Sequence, residues 1–369
     1  MTSWRIDWPH GSAELQALGG MLGPVTLRLA DGRTVQPMFL APWLNDPATR
    51  NLPPLLRDLK GELPCVPFGR TDFPEGLAAA NSPWSWPGLA RPTTSLSATE
   101  LVDPRPNGTN AGPGNDVNNV GTSHAWTHLD PGDDWEHGYS ANQPWSLVTA
   151  GKDLIRIGLD YPDDSPIRRL ERQISADPEA AALDISLTIF PRADAHVPVA
   201  LHPTFRVPPT GIDLRPGAFA RVVAYPVPAE PGVSRLIPDG TAPDLGSLPA
   251  TDGTLDLSRL PLGIKTEELL QLEACQSPFS LYYRSEQVEV SLSWDQQKLP
   301  DVMLWVSNGG RAAFPWNSRN YALGVEPVNG AFDLGRVAAP PAGHPFAQRR
   351  GLALKKDQPV RIDYRLSAR

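Results

Sequence analysis

Residues 183–189 read Leu-Asp-Ile-Ser-Leu-Thr-Ile, a strict alternation of apolar and polar side chains that Pro191 brings to an end. A period of two residues, closed by a turn residue, is typical of a β-strand that buries one face. The same alternation recurs at 25–29, 288–294 and 360–366. Because the pattern extends over the whole length, we predict an all-β fold, a single large antiparallel β-sandwich domain spanning residues 1–369.

The composition agrees with a fold that is rich in strands and loops. The chain contains 42 prolines, about twice the average share of roughly 5%, and 31 glycines. Proline lacks a backbone N–H and fixes φ, so long helices are excluded as the main element. Only two short segments, 54–59 and 265–270, are predicted to be helical.

Charge and apolar content exclude several classes of partner. The net charge of −8 argues against a nucleic-acid partner, which would require a basic surface. No stretch approaches 18 apolar residues, and the start of the chain lacks an apolar signal core, so no membrane partner is expected. Cys65 and Cys275 lie far apart in apolar surroundings. This favours a reducing, cytoplasmic location over a Cys65–Cys275 disulfide.

Two segments have the composition of long loops. Residues 103–134 are dense in Asn, Gly, Pro and Asp, and residues 226–260 are similar but carry scattered leucines. A loop of about thirty residues is uncommon in a compact domain and is usually functional. We predict a loop insertion at about 103–134. A lid over a binding site and a passive surface insertion both remain open.

The histidines do not form a recognisable metal motif. His124 and His128 are four residues apart, but they lie in the Gly- and Asn-rich segment rather than on a helix that would align them. The chain has no H-E-x-x-H sequence and no cysteine pair at zinc spacing. We therefore expect no metal and no cofactor.

His202 and Glu326 are the two residues whose positions suggest chemistry. His202 precedes Pro203 at the end of an apolar run, where a strand must stop, and a capping or core histidine is the competing interpretation. Glu326 ends the apolar run 321–325, where a core residue would be expected. A carboxylate buried there needs a partner or a raised pKa, whereas an edge glutamate pointing to water would need neither.

Four stretches together resemble the galactose mutarotase-like superfamily, which includes aldose 1-epimerases and glucose-6-phosphate 1-epimerases. Residues 60–69, Lys-Gly-Glu-Leu-Pro-Cys-Val-Pro-Phe-Gly, resemble the family's R-G-G-I-P-x-x-x-P-x-F-G, one residue shorter. Residues 137–145 are similar to H-G-F-A-R-x-x-x-W. Residues 201–205 resemble the H-P-Y-F segment, and residues 324–327 resemble the strand that carries the family's glutamate.

The resemblance implies a β-supersandwich, galactose mutarotase-like in architecture, and a set of roles. His202 would be the general acid toward the sugar ring oxygen, and Glu326 the general base on the anomeric hydroxyl. The two side chains would face each other across one cleft, about one sugar ring apart. His137 would hydrogen-bond the sugar. Apolar faces for stacking would come from Trp145, Trp305 and Trp316.

The sequence departs from the phosphate-preferring relatives at two positions. Lys60 and Ala141 stand where those relatives have arginines, and Ala141 cannot hold a phosphate. We therefore expect neutral aldoses to be the better substrates, although three arginines could substitute: Arg70, Arg206 and Arg319. Lys60 and Arg70 are kept as candidate substrate-binding residues.

The expected partner is a small-molecule carbohydrate, bound by a monomer or a homodimer. The leading functional hypothesis is aldose 1-epimerase chemistry. A non-catalytic carbohydrate-binding or regulatory relative that uses the same cleft is the alternative, and a purely structural β-sandwich is the third. The presence of both His202 and Glu326 favours the enzyme, because a binding module has no need of an acid–base pair.

Overall fold

The structure is a computed structural model that describes residues 2–77, 82–85 and 136–369. The predicted insertion at 103–134, together with His124 and His128, lies outside the described residues. The helices are short: α1 (Pro54–Arg57), α2 (Gly138–Asn142) and 3₁₀ turns at Pro47–Thr49, Glu75–Leu77 and Phe332–Leu334.

Strands form nearly all of the remaining regular structure. The first strands in chain order are β1 (Ser3–Trp8), β2 (Gly11–Gln16), β3 (Leu22–Arg28), β4 (Thr34–Val35), β5 (Pro64–Cys65), β6 (Ser146–Ala150), β7 (Leu154–Asp160), β8 (Ile167–Ala176), β9 (Ala182–Pro191), β10 (Ala195–Val197), β11 (Val199–Leu201) and β12 (Thr204–Arg206). They are followed by β13 (Ile212–Arg215), β14 (Arg221–Ala224), β15 (Thr241–Ala242), β16 (Leu248–Ala250), β17 (Gly253–Leu255), β18 (Arg259–Leu260), β19 (Thr266–Glu273), β20 (Phe279–Tyr283), β21 (Val288–Trp294), β22 (Asp301–Asn308), β23 (Tyr321–Asn329), β24 (Leu352–Leu354) and β25 (Val360–Ala368).

Two large antiparallel sheets organise these strands. The first large sheet has the order β15-β14-β19-β22-β23-β11-β5, and β12 also pairs with β23. The second large sheet has the order β18-β13-β20-β21-β25-β9-β8-β7-β6. A smaller sheet, β1-β2-β3-β4, lies at the N-terminus, and β10-β24 and β16-β17 form two-stranded ribbons. The predicted all-β, antiparallel fold is confirmed.

The four alternating segments of the sequence are all strands, but one of the two helix predictions is wrong. Helix α1 falls within 54–59, as predicted, whereas 265–270 belongs to β19. Strand β19 lies between β14 and β22 and is buried on both faces, so its polar residues do not mark a solvent side. Glu267 is buried there because Trp305 and Ser307 donate hydrogen bonds to it. The 226–260 segment contains short strands, β15 to β18, rather than loop alone.

The two large sheets pack face to face around one extended core. Strand β9 contributes Leu183, Ile185 and Leu187 to this core, and β23 contributes Leu323 and Val325. Because side chains alternate along a strand, the neighbouring residues of β23 point to the opposite face of the first large sheet. That opposite face, called the site face below, carries Met303, Val328 and Ala200 together with the candidate glutamate.

A buried ion pair connects the N-terminal region to the second large sheet. Arg172 on β8 contacts Glu62 and the carbonyl of Gly20, and all of the Arg172 side chain is buried. Tyr364 on β25 donates a hydrogen bond of 3.0 Å to the other oxygen of Glu62. The pair therefore joins β8, β25 and the segment that leads into β5.

Cys65 and Cys275 are both free and buried. The alternative of a disulfide between them is therefore wrong. Within the described ranges, no helix is long and apolar enough to cross a membrane.

Candidate functional site

His202 is held in a break between two short strands. Strand β11 ends at Leu201 and β12 begins at Thr204, and both pair with β23. The His202 N–H donates to the Leu63 carbonyl at 2.9 Å, and the Pro203 carbonyl accepts from the Val325 N–H at 2.9 Å. Proline at the second position of the break cannot donate to a neighbouring strand, which stops the pairing there.

Glu326 points onto the site face from β23, where Gly324 leaves room for it. A Cβ atom at Gly324 would lie 2.3 Å from Glu326 Oε1 and 3.1 Å from the Cβ of Trp305. The first distance is shorter than real side chains show, so a larger residue at 324 would force the Glu326 carboxyl out of its present position. In the sheet register, Gly324 faces Thr204 on one side and Trp305 on the other.

His202 and Glu326 meet directly. His202 Nε2 lies 3.4 Å from Glu326 Oε1, and both side chains are buried. His202 Nδ1 lies 3.2 Å from the Thr204 hydroxyl. The resemblance implied that the two side chains face each other across one cleft, about one sugar ring apart. In the structure the side chains come together but touch each other directly. A substrate between acid and base would therefore have to separate them.

Burial governs the protonation of this pair. Loss of water lowers the pKa of His202 to about 4 and raises the pKa of Glu326 well above its usual range. Both shifts favour the neutral form, an uncharged imidazole beside a protonated carboxyl. The pair then holds one dissociable proton between two sites 3.4 Å apart. Moving that proton from Glu326 to His202 yields the imidazolium acid and the carboxylate base without any change in total charge.

His137 completes a row of rings with His202. Its ring lies in edge-to-face contact with His202, with centroids 5.1 Å apart, and stacks on Phe68 at 5.6 Å. Its backbone is in the left-handed region (φ 59°), and its N–H donates to the Gly69 carbonyl at 2.9 Å. Burial holds the pKa of His137 well below its usual range, so the ring is neutral. Its Nδ1 atom is buried without a hydrogen-bond partner.

The 60–69 and 137–145 motifs pack against each other. The Ser140 hydroxyl accepts from the Val66 N–H at 2.9 Å and donates to the Pro64 carbonyl at 2.8 Å. A Cβ at Gly138 would lie 2.2 Å from the Pro67 carbonyl oxygen, which explains the glycine there. Trp145 is buried in the core and donates to the Ser140 carbonyl at 2.9 Å. Its role is therefore to hold α2 in place, and it does not present a stacking face.

Arg70 belongs to a polar cluster beside the histidines. Its guanidinium pairs with Asp72 at 2.8 Å, and the backbone N–H of Arg70 donates to the Asp333 carbonyl. The Tyr225 hydroxyl donates to Asp333 Oδ1 at 2.7 Å. Burial raises the pKa of Asp333, while the nearby Arg70 charge opposes that rise. Tyr225 and Asp333 are 108 residues apart in the chain, and no local sequence signal connects them.

A second polar cluster on the site face was missed by sequence reasoning. Glu267 on β19 accepts from Trp305 Nε1 at 2.6 Å and pairs with Arg311 at 3.2 Å. The Arg311 guanidinium also lies over the Trp316 ring, 4.8 Å from its centroid. Trp316 is thus buried against Arg311 and other tryptophans. The available signal is the Glu267–Glu268 dipeptide, which lies in the segment 265–270 that the sequence predicts to be helical.

The other candidate cations point elsewhere. Lys60 Nζ lies 3.9 Å from Glu14 on β2, so its charge is directed toward the N-terminal sheet. Burial lowers the pKa of Lys60, which weakens it further as a cation. Of the three arginines considered as substitutes, Arg206 pairs with Glu286 and Arg319 lies 3.9 Å from Asp46. Arg70 is the one whose charge reaches His137.

In the ranges 2–77, 82–85 and 136–369, no group of three or more His, Cys, Asp or Glu side chains is arranged to hold a metal ion. A neutral imidazole and a protonated carboxyl in contact, beside the neutral imidazole of His137, can exchange a proton without a change in total charge.

Solved structures with this architecture superpose on the chain over its full length. A candidate aldose 1-epimerase from Escherichia coli K12 superposes with a TM-score of 0.58 at 12% sequence identity, covering 100% of this chain and 99% of its own. A galactose mutarotase related enzyme from Lactobacillus acidophilus gives 0.55 at 13%, covering 100% and 97%. A galactose mutarotase-like protein from Lactobacillus casei gives 0.55 at 12%, covering 100% of both chains.

No family model and no curated protein sequence matches the chain. The chain has the galactose mutarotase-like β-sandwich fold, as the resemblance implied. At 12% to 13% identity the likeness establishes the fold alone.

Proposed function

We propose that the protein is an aldose 1-epimerase-like isomerase, which interconverts the α and β anomers of a sugar. The observation that carries the proposal is the buried contact between His202 and Glu326 on the site face of this fold. A proton shared by two groups of opposite type suits a reaction that removes one proton and delivers another.

The chemistry follows from the state of the pair. Glu326 as carboxylate takes the proton of the anomeric hydroxyl, while His202 as imidazolium donates its proton to the ring oxygen. The bond between C1 and the ring oxygen breaks, and the open aldehyde forms. C1 then rotates, and closure from the other face returns both protons with the roles reversed. No net proton is gained or lost, which matches a site that holds one proton throughout.

The test is to follow the anomerisation of freshly dissolved α-aldoses by polarimetry, and the exchange between anomers at equilibrium by NMR. The panel contains glucose, galactose and their 6-phosphates. Acceleration above the spontaneous rate that scales with protein concentration supports the enzyme. Saturation-transfer NMR run in parallel detects sugar binding that occurs without turnover.

One observation favours the alternative, a non-catalytic carbohydrate-binding or regulatory protein. The 3.4 Å contact between acid and base leaves no space for a sugar ring between them. A binding module would keep this arrangement and hold its ligand nearby. Binding in the saturation-transfer experiment, combined with anomer exchange at the spontaneous rate for every sugar, would establish this alternative.

The pH dependence of kcat/KM is expected to have its acid limb well below pH 6.5, near the pKa of about 4 that burial gives His202. A second proton on the pair leaves a protonated carboxyl and an imidazolium, so no base remains and activity is lost as the pH falls. Initial rates from about pH 3 to 8, corrected for the spontaneous reaction, measure the limb. Circular dichroism at each pH checks that the fold persists. An acid limb centred at pH 6.5 or above would contradict the neutral buried pair.

Neutral aldoses are expected to have kcat/KM at least about tenfold higher than their 6-phosphates. Two arginines near the site are already paired, Arg70 with Asp72 at 2.8 Å and Arg311 with Glu267 at 3.2 Å. A phosphate would have to displace a carboxylate or remain unpaired, which costs free energy at a buried site. Anomer exchange rates for matched pairs of sugars measure the ratio. Faster exchange of the phosphorylated member would refute this preference.

A further inference from the structure

We infer that Glu136, the residue before His137, accepts a hydrogen bond from a sugar hydroxyl other than the anomeric one and so selects which aldoses bind. The inference rests on the proposed function and deepens it, because it assigns a specificity-determining residue to the same site. Glu136 lies outside the four stretches that carry the family resemblance.

The Glu136 side chain contains an unsatisfied polar atom. Glu136 Oε2 is buried and has no hydrogen-bond partner, and the same is true of Nδ1 of the adjacent His137. Buried polar atoms are almost always bonded, and each exception requires an explanation. The His137 ring touches His202, so both unsatisfied atoms belong to residues at or next to the candidate site.

Hydrogen bonds fix the backbone at Glu136, which sets where its side chain begins. The side-chain amide of Asn142 donates to the Glu136 carbonyl at 2.8 Å and to the Gly138 carbonyl at 2.9 Å. The His137 N–H is bonded to the Gly69 carbonyl. These hydrogen bonds hold the backbone of Glu136 and of His137 in place.

The Glu136 carboxyl lies among charged groups. Burial raises the pKa of Glu136 to about 7, while the charges of Arg70 and Arg311 oppose the rise. Both arginines are committed to other carboxylates, Asp72 and Glu267. The two guanidinium charges therefore act on the Glu136 carboxyl without a direct hydrogen bond to it. Near pH 7 a substantial share of Glu136 is therefore the carboxylate, which accepts a strong hydrogen bond from a neutral donor such as a sugar hydroxyl.

The experiment combines variants of Glu136 with deoxy sugars. Affinities and anomerisation rates are measured for an aldohexose and for its 2-, 3-, 4- and 6-deoxy forms. The variants are Glu136→Leu, which removes the acceptor, and Glu136→Gln, which keeps the shape and a weaker acceptor. Glu179→Gln is the matched control, because Glu179 is exposed on the second large sheet side of the molecule.

The wild-type protein is expected to bind one deoxy sugar about 10- to 100-fold more weakly than the parent, as for a hydrogen bond to a charged group. Glu136→Leu should weaken the parent sugar by the same factor and leave that deoxy sugar unchanged. Glu136→Gln should show the same pattern with a smaller loss, and it provides the test if Glu136→Leu does not fold. Glu179→Gln should keep the wild-type pattern.

Three outcomes overturn the inference in distinguishable ways. If the wild type binds and anomerises sugars and the Glu136 variants still discriminate against the same deoxy form, the inference fails and the proposed function stands. If the variants weaken all sugars equally, Glu136 has a structural role and the inference fails. If the wild type neither binds nor anomerises any sugar, the proposed function fails together with it.

Discussion

Replacing Glu326 with glutamine is expected to reduce kcat/KM for anomerisation by about 10²- to 10⁴-fold, the usual contribution of a general base. The amide has nearly the same shape, so the packing beside Gly324 is retained, but it cannot take the anomeric proton. His202→Asn should cause a loss of similar size, because the ring oxygen then has no proton donor. Polarimetry with an anomerically pure sugar measures both losses.

The loss must be separated from an effect on binding or folding. Saturation-transfer NMR should show that Glu326→Gln still binds the sugar, and thermal unfolding should show no loss of stability, because the native carboxyl is itself protonated when buried. The double variant His202→Asn/Glu326→Gln should be little worse than either single variant, because the two groups work as one unit. Retention of most of the activity in Glu326→Gln would remove the catalytic role from this pair.

Replacing Arg172 with methionine is expected to lower the free energy of unfolding by about 3–5 kcal/mol, the typical effect of removing one partner of a buried ion pair. Glu62 would remain buried with only the Tyr364 hydroxyl, which donates at 3.0 Å, to stabilise its charge. Urea denaturation followed by tryptophan fluorescence measures the change. Activity should fall at the same time if the segment 60–65 loosens, because the Leu63 carbonyl holds the His202 backbone.

The matched control is the double variant Glu62→Gln/Arg172→Met. Removing both charges leaves no uncompensated ion, so most of the lost stability should return. If the double variant is as unstable as Arg172→Met alone, the loss comes from packing of the long arginine side chain and not from the ion pair. Arg5→Met, at an exposed pair with Asp7, should change stability little.

The fold could be predicted from the sequence because its strands alternate. Strands β9, β21 and β25 each expose one face of the second large sheet, and their polar residues mark that face. Strand β19 could not be recognised in the same way, since both of its faces are covered and its acidic residues are bonded inside. Apolar and polar residues alternate along a strand when one of its faces is exposed. A strand that is buried on both faces lacks this alternation.

The candidate site was predictable where a residue is out of place in its own segment. His202 before a proline and Glu326 in an apolar strand are local anomalies, and their proximity followed from the resemblance. The clusters around Asp333 and Glu267 were not predictable, because their partners come from distant parts of the chain. The direct contact of His202 with Glu326 depends on side-chain conformations in the folded sheet, which no sequence pattern records.

The break at residues 202–203 imposes a constraint on length. Strands β11 and β12 pair with the same partner on either side of the break, so adding or removing one residue there would turn one of them over and send its side chains to the wrong face. Many substitutions within β11 and β12 would leave the pairing intact. Distant relatives are therefore expected to share the number of residues in the break more faithfully than the identity of the residues around it, and a search that scores this spacing should find homologues that residue identity overlooks.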